Sequence, residues 1–410
     1  MKHGLDVLQE RGFVKQCTDW EGLYSLMEHK PVTLYVGVDP TGTSLHVGHM
    51  VPFFAMAHLQ LAGHRPIAVV GCGTAMIGDP SGKTEMRQML TLNQIEQNMG
   101  KIKKQLSRVV EFGEDRGLMV NNYDWLGSLN YIEFLRDIGC HFSVNRMLSF
   151  ESYKQRLEKG LTFIEFNYQL MQAYDYLKLF QQYGCRLQMG GDDQWGNIVA
   201  GMELIRRIEG EEAYGLTFHL VTRSDGKKMG KTEKGAVFLD PELFSVYDFY
   251  QYWRNVNDAD VIKFMKLFTF LPIEEIREYE SLKGRDLNRA KERLAFEQTK
   301  IIHGEQEAQR AREAAQAAFS SGGSGLQEAI PTVTVSGDEL NKGINAVDLF
   351  AGTELCSSKG DARRLISQGG ARINDRQVPD IDTVVDQTWL EEGVLLLRAG
   401  KKRYFRVIPE

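Results

Sequence analysis

Leu34-Tyr35-Val36-Gly37-Val38-Asp39-Pro40-Thr41-Gly42-Thr43-Ser44-Leu45-His46-Val47-Gly48-His49 decides how this chain is read. Val32 to Val36 has the β-branched and aromatic composition of a strand. Gly37 and the cluster Asp39-Pro40-Thr41-Gly42-Thr43 interrupt it with turn chemistry. An apolar helix then opens through His49-Met50-Val51-Pro52-Phe53-Phe54-Ala55-Met56, where Pro52 is tolerated because a first helical turn has backbone donors to spare. A strand, a glycine-containing turn and a helix start are how α/β proteins aim backbone N–H groups at a phosphate. His46-Val47-Gly48-His49 sits at that junction, two imidazoles about a glycine that lets a ligand come close, so the stretch is a candidate nucleotide site. A His-x-x-His pair is also half of a metal site, but such a site wants further ligands at suitable spacing. Cys17, Cys72, Cys140, Cys185 and Cys356 are scattered without a Cys-x-x-Cys, which argues against structural zinc.

The chain has 410 residues, room for two or three domains. With 42% hydrophobic and 25% charged residues it has the composition of an ordinary globular protein. A net charge of −6 excludes a chain that is basic throughout, so any nucleic-acid surface must be local. The N-terminus lacks the apolar core of a secretory signal, and no apolar run is long enough to span a bilayer. Dispersed cysteines, odd in number, fit a reducing compartment, and the expected location is the cytoplasm.

Residues 5–30 read as one or two helices with Leu8, Phe13, Trp20, Leu23 and Leu26 on the apolar face. Pro66 to Gly71 is a continuous apolar run, the mark of a buried parallel strand. Gly78-Asp79-Pro80-Ser81-Gly82-Lys83-Thr84 resembles a P-loop but has one residue too few between its glycines. It reads instead as a turn that positions Asp79 and presents Lys83 and Arg87. A strand follows around Leu118-Met119-Val120, and alternating strand and helix patterns up to residue 223 predict a doubly wound, Rossmann-like parallel sheet. Glu165 to Phe180 is a helix on which Tyr168, Gln172 and Asp175 share one face. Three different hydrogen-bonding groups on an otherwise apolar face suit a pocket wall, although each alone suits a helix contact. Cys185 to Met189 is a strand, and Gly190-Gly191-Asp192-Asp193-Gln194-Trp195-Gly196-Asn197 a second glycine-rich turn into a helix. Its carboxylates suit ribose hydroxyls or an ammonium group. After a strand over Leu216–Val221, Arg223 to Thr232 alternates lysine with glycine, a cationic loop able to close on a polyphosphate.

Helical periodicity dominates residues 241–316, and Ser320 to Gly325 reads as a flexible connection. From about Asn345 the pattern is a small α+β module. Its charges balance overall, but its bases cluster at 363–376 and 398–406, a nucleic-acid footprint if they share a face. The expected organisation is a catalytic domain over 1–235, an α-helical domain over 236–318, a linker over 319–344 and an RNA-binding module over 345–410.

His46-Val47-Gly48-His49 and Lys228-Met229-Gly230-Lys231-Thr232 together resemble the HIGH and KMSKS signatures of class I aminoacyl-tRNA synthetases. Within that class the chain is similar to the bacterial-type tyrosyl-tRNA synthetases. The segments that carry the resemblance are YVGVDPTGTSLHVGH, GDPSGKTEMR, NYQLMQAYD, LQMGGDDQWGN, KKMGKT and DARRLISQGGARIN, in the expected order along essentially the whole chain. The resemblance implies activation of tyrosine by ATP, with Mg2+ accompanying the nucleotide and no dedicated protein metal site. It then implies transfer to the terminal adenosine of tRNA(Tyr), by a homodimer with no membrane association. It implies catalytic roles for His46, His49, Lys228, Lys231 and Thr232. Tyr35 and Asp175 would bind the phenolic hydroxyl; Tyr168, Asp79 and Gln172 the ammonium; and Gln188 and Gln194 would line the pocket. Gly37, Asp39, Thr41, Gly48, Gly191 and Asp193, with the two histidines and two lysines, would bind ATP, Gly48 leaving room for the adenine. Lys83, Arg87, Arg363, Arg364, Arg372, Lys401, Lys402 and Arg403 would contact tRNA.

Three positions depart from the family pattern. Val47 replaces Ile, Gly230 replaces the first Ser of KMSKS with loss of a hydroxyl, and Asp192 stands where the family often has Ser. The nearest rival, tryptophanyl-tRNA synthetase, is disfavoured by the tail module and by the Tyr35/Asp175 pair. A non-catalytic RNA-binding descendant would be expected to have lost a signature histidine or lysine.

Overall fold

In the computed structural model the described residues are 2–81, 90–158, 160–224, 226, 229–232, 235–320, 331–353, 355–391, 393–400 and 403–409. Lys83, Arg87, Lys228, Lys401 and Lys402 lie outside them, and of Lys231 and Thr232 only the backbone is described. The chain forms two compact units, Met1–Phe244 with Arg254–Ile302, and Ser245–Trp253 with His303–Glu410.

The first unit is built on a six-stranded sheet: β1 (Val14–Cys17), β2 (Thr33–Val38), β3 (Arg65–Val70), β4 (Leu118–Asn121), β5 (Cys185–Gly191) and β6 (Tyr214–Phe218). The strand order is β1-β6-β5-β2-β3-β4. Strands β2 to β6 are parallel, as the apolar runs predict, and Leu34, Tyr35 and Val36 of β2 and Ile67 to Val70 of β3 are buried. Between β2 and β5 the chain reverses its direction of travel across the sheet. In doubly wound folds this switch point opens a crevice at the carboxyl ends of the strands.

The antiparallel edge strand β1 corrects the sequence reading, which took residues 5–30 as helical. Gly12, at φ 79°, ends the helix Gly4–Arg11, and the Asp19 carboxylate caps Trp20–His29 by accepting from the Gly22 N–H at 3.0 Å. The four residues between pair with β6, about two hundred positions away, so no local periodicity marks them. Strand β6 also starts and ends earlier than expected, because its register on β5 runs from Leu187↔Tyr214 to Gly191↔Phe218.

The helix Phe163–Tyr183 carries much of the pocket wall. It starts at a Thr162/Glu165 capping box and stops at Gly184, whose φ of 61° is left-handed. It packs against β5 and against the helix Trp195–Glu209, where Gly201 admits the Tyr176 ring: a Cβ there would lie 2.9 Å from it. Glu165 also forms a buried ion pair with Arg156, with Nη2 3.0 Å from Oε1 and side chains only 4% and 3% exposed. Arg156 donates to the Gly160 carbonyl at 3.0 Å, and the Thr162 hydroxyl donates to Glu165 Oε2 at 2.8 Å.

The second unit contains the helix Glu305–Ser320 and a five-stranded sheet in the order Arg376–Gln377, Ala371–Ile373, Leu395–Ala399, Arg403–Pro409, Thr332–Val335. Thr332–Val335 and the helix Gly337–Lys342 fall inside the stretch read as linker, 319–344; the strand pairs in parallel with Arg403–Pro409. Asn374 and Asp375, at φ 47° and 59°, make the two-residue hairpin that joins Ile373 to Arg376. Leu340, Phe350, Ile366, Ile373, Leu397 and Val407 form its core. Among the described residues, no helix is long and apolar enough to cross a membrane.

Breaking the Arg156–Glu165 pair takes a hydrogen-bonded counter-charge away from a buried guanidinium. Glu165→Ala is expected to cost about 3–5 kcal/mol at pH 7, read as a lower urea midpoint. Burial alone would raise the Glu165 pKa, but the Arg156 and Thr162 hydrogen bonds outweigh it and hold the group below its ordinary value. The stability this supplies is therefore present above the ordinary carboxylate range and lost on acidification, so the gap between parent and variant should narrow as the pH falls below about 4.5.

Candidate active site

The carboxyl ends of β2 to β5 gather most of the described residues that the sequence singled out. At the end of β2, Gly37 is exposed, with open space where a side chain would stand. Asp39 accepts from the Thr74 hydroxyl at 2.7 Å and from the Tyr168 hydroxyl at 3.0 Å, and its carbonyl receives the Thr41 N–H at 2.8 Å. Asp39 and Tyr168, expected on the nucleotide and ammonium sides, thus touch each other.

Deeper in the crevice, Asp175 is buried. Its Oδ2 accepts from Asn122 Nδ2 at 3.0 Å and its Oδ1 from the Trp125 indole N–H at 2.7 Å. Burial pushes its pKa up to about 7, against the opposing pull of the Asn122 and Trp125 donors. The Tyr35 hydroxyl is buried with no hydrogen-bond partner among the described residues, and burial and then the Asp175 charge hold its pKa well above the ordinary value. Asn122 also donates to the Thr74 hydroxyl at 2.9 Å, so one polar chain runs from Asp39 through Thr74 and Asn122 to Asp175.

A second polar group joins the loop after β3 to the turn after β5. Asp79 accepts from the Ser81 N–H at 2.8 Å and from Gln194 Nε2 at 2.7 Å. Asn197 donates to Gln194 Oε1 at 3.1 Å and to Gln172 Oε1 at 2.9 Å. Gln188, on β5, is buried, and its Oε1 has no partner among the described residues. Asp193, beside Gly191, has a raised pKa, from burial first and then from the Asp79 charge. Asp192 points elsewhere, accepting from Gln16 Nε2 at 2.7 Å and from the Thr217 hydroxyl at 3.2 Å.

His46 and His49 stack with ring centroids 3.6 Å apart. Gly48 N–H donates to His46 Nδ1 at 3.1 Å and His46 N–H to His49 Nδ1 at 3.4 Å. With both Nδ1 atoms accepting, the neutral tautomer carries its proton on Nε2, and both rings present an N–H donor. The Cβ direction of Gly48, read as room for an adenine, is taken by the Met229 backbone: a Cβ would lie 2.9 Å from the Met229 carbonyl oxygen. Gly230 has φ 79°, and a Cβ there would lie 2.9 Å from the Gly48 N. Gly230 in place of Ser therefore has a backbone reason. The return segment is tied back by Val47 N–H to the Val237 carbonyl and Leu239 N–H to the Leu45 carbonyl. The two signature segments, some 180 positions apart in sequence, are in backbone contact.

In the second unit, Arg363 and Arg364 are exposed on the helix Lys359–Ser367. Arg372 and Arg398 are cross-strand partners, as are Arg398 and Tyr404, which sets a row of bases and an aromatic on the sheet's outer face. Arg372 donates to the Asp375 carbonyl at 2.9 Å and Arg403 to the Leu355 carbonyl at 2.9 Å. Among the described residues no cluster of His, Cys, Asp and Glu is placed to hold a metal ion.

Sequence reasoning missed Thr74, Asn122, Trp125, Asn197 and Gln16. A signal did exist for Asn122 and Trp125, which directly follow β4 at its carboxyl end, where ligand-facing residues concentrate in this architecture.

Residues 27–320 match the family described as tRNA synthetases class I (W and Y), and residues 324–407 the tyrosine–tRNA ligase SYY-like C-terminal domain. The chain is 56% identical over 407 residues to the tyrosine–tRNA ligase of Acetivibrio thermocellus, covering 99% of each chain. It is likewise 56% identical over 409 residues to that of Treponema denticola, covering 100% of both. A C-terminally truncated mitochondrial tyrosyl-tRNA synthetase from Aspergillus nidulans matches with a TM-score of 0.70 and 31% identity, over 78% of this chain and 95% of that one. With these matches added to the crevice and the paired signature segments, the chain belongs to the class I tRNA synthetases, in their tryptophan and tyrosine family.

Proposed function

We propose that this chain is a tyrosine–tRNA ligase, and that the unpaired Tyr35 hydroxyl beside buried Asp175 is where the phenol of tyrosine is read. A phenolic O–H can accept from Tyr35 and donate to Asp175, adding to the Asn122 and Trp125 bonds there, whereas phenylalanine leaves the Tyr35 hydroxyl desolvated and unmatched. Asp79, Tyr168 and Gln172 are assigned to the ammonium, with Gln188 and Gln194 along the pocket. Asp39, Thr41, Gly191 and Asp193 are assigned to the nucleotide, beside the open space at Gly37.

In the first step a carboxylate oxygen of tyrosine attacks the α-phosphorus of ATP. A P–O bond forms to give tyrosyl-adenylate, and the bond to pyrophosphate breaks. In the second, a ribose hydroxyl of the terminal adenosine of tRNA attacks the activated carbonyl and AMP leaves. Neither step needs a protein nucleophile, so catalysis rests on positioning and on stabilising the charge that develops on the transferring group. The Nε2–H donors of His46 and His49 suit that task, with Lys228, Lys231 and Thr232 assigned to the departing pyrophosphate. Mg2+ would arrive on the ATP phosphates.

The exposed Arg363 and Arg364, with the Arg372–Arg398–Tyr404 row, support tRNA binding by the tail, to which Arg403, Lys401 and Lys402 are also assigned, as are Lys83 and Arg87. A homodimer is supported by exposed apolar side chains in the first unit, where Tyr131, Ile132, Val144 and Phe163 are each more than half exposed. Five free cysteines favour a reducing setting, and the cytoplasm is the assigned location.

The deciding experiment is amino-acid-dependent ATP–pyrophosphate exchange. Tyrosine alone should support it, and phenylalanine should be poorer by about 10⁵, a figure that belongs to this enzyme class as a whole rather than to the geometry of this site. His46→Ala should abolish exchange, while Arg363→Ala/Arg364→Ala should spare it and weaken only charging of tRNA. Exchange with tryptophan instead would overturn the pocket assignment. Tyr35→Phe removes an unsatisfied buried group, so its Tm should equal or exceed the parent's while KM for tyrosine rises by about tenfold. In sedimentation, Phe163→Asp should shift the parent's dimer towards monomer; a monomeric parent would rule out the dimer.

A further inference from the structure

Asp192 stands where the resemblance leads one to expect a serine, and its surroundings give the carboxylate a purpose. Strand β1 does not pair regularly with β6. Val14 faces Phe218, but Gln16 faces Thr217, so Lys15 is an extra residue and the strand bulges there. Bulges at sheet edges re-aim side chains. Here the bulge sets Gln16 directly opposite Thr217, and both donate to one oxygen, Asp192 Oδ1, at 2.7 and 3.2 Å. Asp192 opens the short 3-10 turn Asp192–Gln194, which connects β5 to the helix Trp195–Glu209. The same turn carries Asp193, and Gln194, which donates to Asp79. It is folded tightly: a Cβ on Gly191 would lie 2.5 Å from the Asp193 carboxylate.

Two adjacent carboxylates in a half-buried turn repel unless one is drawn aside. Gln16 and Thr217 draw Asp192 towards the β1–β6 edge and leave Asp193 on the crevice side. Gln16 precedes the stretch 27–320 that matches the family, so this contact comes from a part of the chain outside that match. We propose that Asp192, clamped by Gln16 of the bulged edge strand and by Thr217, is a positioning residue that holds the Asp193 turn in the geometry that binds the ribose of ATP. The proposal rests on the assignment of Asp193 to the nucleotide.

The test is tyrosine-dependent ATP–pyrophosphate exchange on the full chain, with KM for ATP, KM for tyrosine and kcat measured separately. Asp192→Ala and Gln16→Ala should each raise KM for ATP by about tenfold, and KM for tyrosine by less than about twofold, because Gln194 at the far end of the turn is anchored separately by Asp79 and Asn197. Asp192→Asn keeps an amide oxygen able to accept from both donors, and should recover most of the ATP affinity that Asp192→Ala loses. The double variant Gln16→Ala/Asp192→Ala should be no worse than Asp192→Ala alone, since both break the same contact. Thr217→Val, nearly isosteric, gives a second way to remove a donor should Asp192→Ala fold poorly. Equal rises in both KM values, additive single effects, or Asp192→Asn as impaired as Asp192→Ala would overturn the clamp while leaving the tyrosine ligase reading intact. A parent chain that shows no tyrosine-dependent exchange would instead overturn the nucleotide assignment, and the clamp with it.

Discussion

Strand β2 has a parallel neighbour on each side, β3 and β5, because the chain runs outward from it through β3 and β4 and then crosses back to build β5 and β6 on its other side. That single constraint creates the crevice. Helices that follow β2 and β5 start on diverging paths, so backbone and side chains at the strand ends are left facing a gap instead of one another. Asp39 comes from the end of β2, Thr74 from after β3, Asn122 from after β4, and Asp193 from after β5. The long helix Phe163–Tyr183 closes the wall with Tyr168, Gln172 and Asp175, and its start is fixed by the buried Arg156–Glu165 pair. Removing the parallel pairing of β2 would scatter every one of these groups.

The floor of the crevice is a place where ordinary folding economy is set aside. The Tyr35 hydroxyl and Gln188 Oε1 are buried and unsatisfied among the described residues, and Asp175 is held at a pKa of about 7 by its burial. Each feature costs stability taken by itself. The donors Asn122 and Trp125 limit the penalty at Asp175 by taking one oxygen each, and they fix the carboxylate's orientation at the same time. Local departures from satisfied polarity concentrate at functional sites, where a ligand supplies the missing partners. Under the proposed assignment, selectivity for a phenol over a plain phenyl ring would follow from that mismatch, because the wrong ligand would leave the desolvated Tyr35 hydroxyl unmatched.

The two signature segments illustrate how backbone contact restricts side-chain identity. Gly48 and Gly230 approach so closely that a Cβ on either would collide, and Gly230 also has a left-handed φ. A serine at 230 would need another backbone path, so the lost hydroxyl and the close approach belong together. The tautomer of both histidines is set by backbone N–H groups from the same short turn.

Much of this was legible along the chain. Apolar runs marked the parallel strands, because burial on both faces requires continuous hydrophobicity. The spacing of Tyr168, Gln172 and Asp175 placed them on one helix face, and the two signature segments named the family. What the sequence could not reveal were pairings between distant residues. Strand β1 exists because it finds β6, Trp125 and Asn122 matter because Asp175 lies beside them, and Gln16 acquires a role only through a bulge that sets it opposite Thr217. The sequence alone determined the family, the parallel sheet and the residues that carry the signatures, because helical and strand periodicity and short motifs are local properties. Only the tertiary structure decided which donors meet which carboxylates and where a polar atom is left without a partner, because hydrogen bonds act over about 3 Å in space with no regard for separation along the chain.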